Sequence, residues 1–209
     1  MKLEGRVAVV TGAGSGIGRG ISQALARRGC NLALCDLNQK GMDETRALVP
    51  NVKVTSHKLD VTDRVAVAAL PETVLAEHGR VDVLVNNAGV AVGGNFEQVG
   101  EEDFDWCMDV NFNAVVRLTR AFLPHLKKSD GGRIINISSL FGLIAPPGQT
   151  SYCASKFAVR GFSESLRKEL EEAGSTVGVT TIHPGGVRTN IAKNARTPKG
   201  ADQRRGQLH

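Results

Sequence analysis

Apolar residues fall in short, nearly unbroken runs that alternate with stretches of helical period along the whole chain. The runs at 6–11, 31–35, 52–56, 81–86, 133–138 and 177–182 are rich in Val, Ile and Leu and show little in–out alternation. Strands with that pattern are buried on both faces, as in a parallel sheet covered by helices. Between them, 17–28, 39–48, 63–78, 101–127 and 152–172 carry the spacing of helices, the fourth of them broken. Thr62 or Asp63 suits the start of the third helix, and Gly29, Gly79 and Gly174 stand near helix ends. Pro124 lies inside 101–127 and is expected to bend or end that helix. Strands joined through helices at this spacing imply right-handed βαβ units. The expected fold is therefore α/β, a doubly wound parallel sheet of about six strands with helices on both faces.

With 209 residues, 41% hydrophobic and 22% charged, the chain suits one folded domain with a sizeable core. That domain is expected to occupy 1–192, followed at 193–209 by a polar, basic segment that reads as loop or disorder. Four of the five excess positive charges lie in this segment. The body is nearly neutral, so no basic stripe suited to nucleic acid is expected. No apolar run approaches the roughly 20 residues needed to span a bilayer. The opening residues Met1 to Arg6 enter the first strand without a signal-peptide core, so the expected location is cytoplasmic. Cys30, Cys35, Cys107 and Cys153 show no metal-ligand spacing, and no metal site is expected. Cys30 and Cys35 should point to opposite faces of one strand, as packed, reduced thiols.

The first strand runs into Thr11-Gly12-Ala13-Gly14-Ser15-Gly16-Ile17-Gly18-Arg19-Gly20, which fits TGxxxGxG through Gly12, Gly16 and Gly18. Such a turn lets backbone approach a pyrophosphate, and the helix that follows offers N–H donors and a positive dipole end. The second strand ends at Asp36. A carboxylate there can accept both hydroxyls of an adenosine ribose and repels a 2′-phosphate. Neither Ser15 nor Leu37 is a basic residue that could bind such a phosphate, so NAD is expected over NADP.

The single tyrosine, Tyr152, stands four residues before Lys156, so both can face one cleft from one helix. A free phenol titrates near ~10, and a nearby cation can lower that by roughly 1 to 3 units, giving a proton-transfer device. Ser139, thirteen residues upstream at the end of a buried strand, could hydrogen-bond the same substrate oxygen. Strand-to-helix turns at carboxyl ends of strands are where open α/β sheets bind ligands.

Together these motifs resemble the classical short-chain dehydrogenase/reductase family over about 1–192. The resemblance rests on TGAGSGIG at 11–18, Asp60-Val61, Asn86-Asn87-Ala88-Gly89, Asn111, Ser139, Tyr152 with Lys156, and Pro184-Gly185 leading to Val187 and Thr189. It implies a Rossmann-like sheet of order 3-2-1-4-5-6 and hydride transfer between NAD and a secondary alcohol or a ketone or aldehyde. The implied catalytic set is Asn111, Ser139, Tyr152 and Lys156. Tyr152 would be the acid/base, Lys156 would lower its pKa and hold the nicotinamide ribose, and Ser139 would polarise the substrate oxygen. Asn111 would hold a water linking Lys156 to solvent. The implied cofactor contacts are Gly12, Ser15, Gly16, Ile17, Gly18, Asp36 and Leu37, then Asp60 and Val61 at the adenine. Asn87, Ala88 and Gly89 would support the cofactor, Tyr152 and Lys156 the ribose, and Pro184, Gly185, Val187 and Thr189 the nicotinamide. Members often pair through the helices matching 101–127 and 152–172, so a homodimer or homotetramer is expected. The family's usual seventh strand has no counterpart in 193–209, which leaves a polar tail or a truncated substrate lid. Two further readings stand beside this one: an NADPH-dependent 3-oxoacyl reductase, and a cofactor-binding protein with weak catalysis. His183 is expected to be a loop residue and not a base.

Overall fold

The computed structural model describes residues 2–187, 191 and 193–198. Six parallel strands, β1 (Val7–Thr11), β2 (Asn31–Asp36), β3 (Val54–Lys58), β4 (Val83–Asn86), β5 (Arg133–Ile137) and β6 (Gly178–Ile182), form one sheet in the order 3-2-1-4-5-6. The connecting helices are α1 (Gly16–Ala26), α2 (Gln39–Ala47), α3 (Arg64–His78), α4 (Glu101–Met108), α5 (Ala114–Leu126) and α6 (Thr150–Glu172). The order reverses between β1 and β4, so their carboxyl ends open a crevice between divergent connections.

The near-continuous apolar strands are explained by two cores, one on each face. Val7, Val9 and Leu84 pack toward α3, α5 and α6, while Ala8, Val10, Val83 and Val85 pack toward α1 and α2. Cys35 and Cys30 fall in opposite cores, and all four cysteines are free and buried. Residues Val110, Ala114, Leu118, Phe122 and Leu126 recur every fourth position and bury one stripe. Phe122 is fully enclosed, so truncation to Ala would cost about 3–5 kcal/mol.

Three local features differ from the sequence reading. The strand expected at 52–56 runs over Val54–Lys58, paired with β2 from Leu32↔Val54 to Asp36↔Lys58. It borders the sheet and carries Thr55, Ser56, His57 and Lys58, so its polarity hid its carboxyl half. Pro124 does not set the break in 101–127. α5 continues to Leu126, and Arg120, whose carbonyl loses its donor, lies on the exposed side where water can serve it. The break is a π-helical turn at Asp109–Asn113, a local widening often found at functional sites. Finally, residues 193–198 are not free of structure: Arg196 forms a parallel bridge with Val92, and its guanidinium lies 3.6 Å from the Trp106 ring. Residues 199–209 lie outside the described part.

Candidate active site

The first half of the site is built by the turn from β1 into α1. Ser15 takes the N-cap position in extended backbone but makes no side-chain cap bond, and the first turn contains no acid. The helix end is thus left with its positive dipole facing outward, suited to an anion. Close approach dictates the glycines. A Cβ on Gly18 would strike the Gly12 carbonyl, and one on Gly12 would come within 2.8 Å of Asn87 Nδ2. Asn87 Nδ2 donates to the Thr11 carbonyl at 2.9 Å, while Thr11 Oγ1 accepts the N–H groups of Asn87 and Ala88 at 3.0 and 3.1 Å. The Asn-Asn-Ala-Gly turn after β4 is therefore riveted to the glycine turn after β1.

Asp36, at the end of β2, accepts the Gly14 N–H on one oxygen and the Asn38 N–H on the other, both at 2.8 Å. Each carboxylate oxygen retains a lone pair, and the side chain borders the crevice. Asp60 turns one oxygen onto the N–H and hydroxyl of Thr62, at 2.8 and 2.7 Å, and Val61 beside it is buried.

The second half stands on β5 and α6. Lys156, 3% exposed, donates to the Ile137 carbonyl at 3.0 Å and lies 5.6 Å from the Tyr152 ring centre. Burial pushes the Lys156 ammonium down to about 8. Burial also raises the Tyr152 phenol, and the Ser139 hydroxyl facing it pulls the other way. Burial is thus the largest influence on both groups and drives each toward its neutral form.

Ser139 is a cap residue as well as a site residue. Its Oγ accepts the Phe141 N–H at 3.1 Å at the start of a 3₁₀ turn, Leu140–Gly142, which leaves its own proton to be donated. The Ser139 carbonyl contacts His183 Nδ1 at 3.0 Å. A carbonyl only accepts, so Nδ1 carries the proton and His183 braces the loop. Asn111, in the π turn, joins Val90 to α6: Oδ1 accepts the Val90 N–H at 2.8 Å, and Nδ2 donates to the Val90 carbonyl at 2.9 Å and to Ser155 Oγ at 3.0 Å. A Cβ on Gly89 would lie 3.2 Å from Asn111 Oδ1 and 3.5 Å from Lys156 Nζ, so a side chain there would crowd Asn111.

The crevice these parts enclose measures about 380 Å³. It brings together Gly12, Ser15, Gly16, Ile17, Asp36, Leu37, Asp60, Val61, Asn87, Ala88, Gly89, Ser139, Tyr152, Lys156, Pro184, Gly185 and Val187. Gly18 and Asn111 stand behind its wall, and Thr189 lies outside the described residues. Val90, Trp106 and Val110 also line it, as do Ile191 and Asn194. Nothing in their spacing marked them, since these five come from three separate segments. Leu140, which follows Ser139 in the chain, is exposed, as are Leu143, Ile144 and Phe96. Among the described residues there is no cluster suited to a metal ion, and no helix is long and apolar enough to cross a membrane.

The glycine cradle, the uncapped helix end and the carboxylate at the end of β2 fit a dinucleotide. Residues 6–200 match the family model for short chain dehydrogenase. SadH of Mycobacterium tuberculosis, which carries a provisional oxidoreductase name, is 48% identical over 203 residues, covering 96% of this chain and 74% of its own length. The 3-oxoacyl-[acyl-carrier-protein] reductase FabG of Thermotoga maritima is 37% identical over 195 residues, covering 92% of this chain and 78% of its own. A crystal structure of a short chain dehydrogenase/reductase from Burkholderia phymatum in complex with NAD superposes with a TM-score of 0.90 at 34% identity. It covers 93% of this chain and 70% of the neighbour.

Proposed function

Because this chain belongs to the short-chain dehydrogenase family, a family of oxidoreductases that bind a nicotinamide cofactor, we propose that it interconverts a secondary alcohol and a ketone or aldehyde with NAD(H). The observation that carries this reading is the placing of Ser139, Tyr152 and Lys156 around one crevice whose far end holds Asp36. When bound, the nicotinamide supplies or takes up the hydride.

The protein's own part is proton transfer and positioning. In the reducing direction the neutral Tyr152 O–H donates its proton to the substrate oxygen as negative charge develops there. Burial holds the phenol protonated until that moment. The Ser139 O–H, its oxygen already anchored by the Phe141 N–H, points a second donor at the same atom. Lys156 places a cation one helical turn away, favouring the phenolate that remains. Asn111 would act by pinning Val90 and the π turn beside Lys156. At the other end Gly12, Ser15, Gly16 and Ile17 would take the pyrophosphate, Asp36 and Leu37 the adenosine ribose, and Asp60 and Val61 the adenine. Pro184, Gly185 and Val187 would meet the nicotinamide, with Thr189 beyond the described residues. The exposed apolar residues that follow Ser139 in the chain, Leu140, Leu143 and Ile144, suit an uncharged substrate. Subunit pairing through α4, α5 and α6 belongs to the same reading and is checked by light scattering.

The likeness to FabG favours a second reading, reduction of a 3-oxoacyl substrate with NADPH. Asp36 opposes it, since a carboxylate at that place repels a 2′-phosphate. Turnover of an alcohol and ketone panel with each nucleotide separates the two. Preference for NADH that relaxes in Asp36→Ala supports the first; preference for NADPH in the parent protein overturns it.

A further inference from the structure

Gly14 and Arg19 stand in the glycine-rich turn, yet neither belongs to the TGxxxGxG pattern nor lines the crevice. Both have a place in the structure. Arg19 Nη2 donates to the Gly14 carbonyl at 2.6 Å and to the Gly41 carbonyl at 3.2 Å. The Gly14 N–H is donated to Asp36 Oδ2 at 2.8 Å, and Asp36 Oδ1 accepts the Asn38 N–H at 2.8 Å. Asn38 Oδ1 in turn accepts the Gly41 N–H at 3.0 Å, capping α2. The hydrogen bonds close into a ring: Arg19, Gly14, Asp36, Asn38, Gly41 and back to Arg19. Thr45 braces it from below, accepting from Arg19 Nε at 3.0 Å and donating to the Ala13 carbonyl at 2.8 Å. Gly14 has no side chain for a matching reason, as a Cβ there would sit 3.0 Å from Asp36 Oδ2.

We propose that Arg19 is a positioning residue for nucleotide selection, acting through Gly14 to hold the Asp36 carboxylate where a ribose with free hydroxyls is accepted and a 2′-phosphate is refused. This rests on the dinucleotide reading given above. The chemistry of the ring supports it. Arg19 is its only cation, and Glu44 at 2.8 Å answers that charge, so the guanidinium serves as a rigid fork and not as a phosphate receptor. Without the fork the Gly14 carbonyl loses its charged donor and the turn can move away from β2. Asp36 would then keep its charge but lose one of the two N–H groups that aim it.

The test is a fluorescence titration of the full chain with NADH and with NADPH, for the parent, Arg19→Met, Asp36→Ala and the double variant. Arg19→Met is expected to weaken NADH binding about tenfold, the loss of one charge-assisted hydrogen bond. NADPH should move less than threefold, so the preference narrows, and in the Asp36→Ala background the substitution should add no further loss. Equal weakening toward both nucleotides, or an undiminished effect without Asp36, would overturn the proposal in favour of a merely structural role. Should Arg19→Met not fold, Arg19→Lys, which keeps a charge but cannot span both carbonyls and Thr45, is read in the same way. Hydrogen exchange at the Gly14 amide, without nucleotide, reads the ring by itself: acceleration in the Arg19 variant supports it and unchanged protection refutes it. A parent protein that prefers NADPH, or binds neither nucleotide, would sink the cofactor reading, and the exchange measurement would still decide the ring.

Discussion

Two ionisable side chains lie buried at opposite ends of the same sheet, and the fold treats them in opposite ways. At the amino end Asp82, which precedes β4, is fully enclosed. Burial alone would raise its pKa, yet the carboxyl is held down to about 2 by hydrogen bonds from Arg80, Ser129, the Val7 N–H and Arg6. Arg6 Nη1 lies at 3.0 Å, Arg80 Nη2 at 2.6 Å and the Val7 nitrogen at 2.9 Å. At the carboxyl end Lys156 is nearly as deeply buried but is met by the neutral Ile137 carbonyl, and burial prevails, bringing it down to about 8. Both are closed off from solvent, and the partners they meet differ: four hydrogen-bond donors at Asp82, one neutral carbonyl at Lys156. A charge that is fully answered ties three segments of chain together. A charge left partly unanswered, beside a phenol in the same condition, is ready to respond to a substrate oxygen.

The sharpest way to break this comparison is Tyr152→Phe. It should lower turnover by about 10³-fold while leaving NADH affinity and stability nearly unchanged, as general acid catalysis accounts for roughly 10²–10⁴ in rate. Steady-state assays with an alcohol and ketone panel check it, and retained turnover would end the case for the phenol. Next in size is Asp82→Asn, expected to destabilise by about 3–5 kcal/mol in urea unfolding because it leaves Arg6 without its buried counter-charge. Its sign with pH follows from the lowered carboxyl. The stabilisation is present above the unfolded value near ~4 and is lost as pH falls toward 2, roughly 2 kcal/mol in all. An unaltered acid limb in Asp82→Asn would contradict this.

Lys156→Arg addresses the other end. Ketone reduction at saturating NADH should decline as pH rises through about 8, where Lys156 gives up its proton. In the variant, whose guanidinium stays charged, that limb should move beyond pH ~10 at a rate reduced about 100-fold. A limb that stays in place would assign it to another group. The smallest effect is expected for Arg80→Ala. Half of that side chain is exposed, and Asp82 keeps Arg6, Ser129 and the Val7 N–H, so thermal unfolding should register no more than ~1 kcal/mol.

The features legible in the sequence were those set within a turn or a strand. Apolar runs named five of the six strands closely, and in β1, β2, β4 and β5 burial on both faces removes polar alternation; β3 slipped by two residues because a border strand can be polar. Gly12, Gly16 and Gly18 announced the cofactor turn because only hydrogen fits where backbone segments touch. The i to i+4 spacing placed Tyr152 and Lys156 on one face, since helical period alone fixes it. The direction of the Tyr152 pKa was a different matter. It depends on how completely α6, the Leu140 loop and the Pro184 segment remove water, and no local pattern contains that sum.

The same division holds elsewhere. Sequence determined the order of elements, the polarity of the sheet and the identity of the groups at its carboxyl ends, because periodicity and steric exclusion act over a few residues. Tertiary structure alone decided that Arg6, Arg80, Asp82 and Ser129 share one charge network, that Arg19 closes a ring with Asp36, and that Arg196 rests on Trp106. Those contacts join residues 2 to 123 positions apart. Electrostatic and desolvation energies depend on distance in space, and only the folded chain sets that distance.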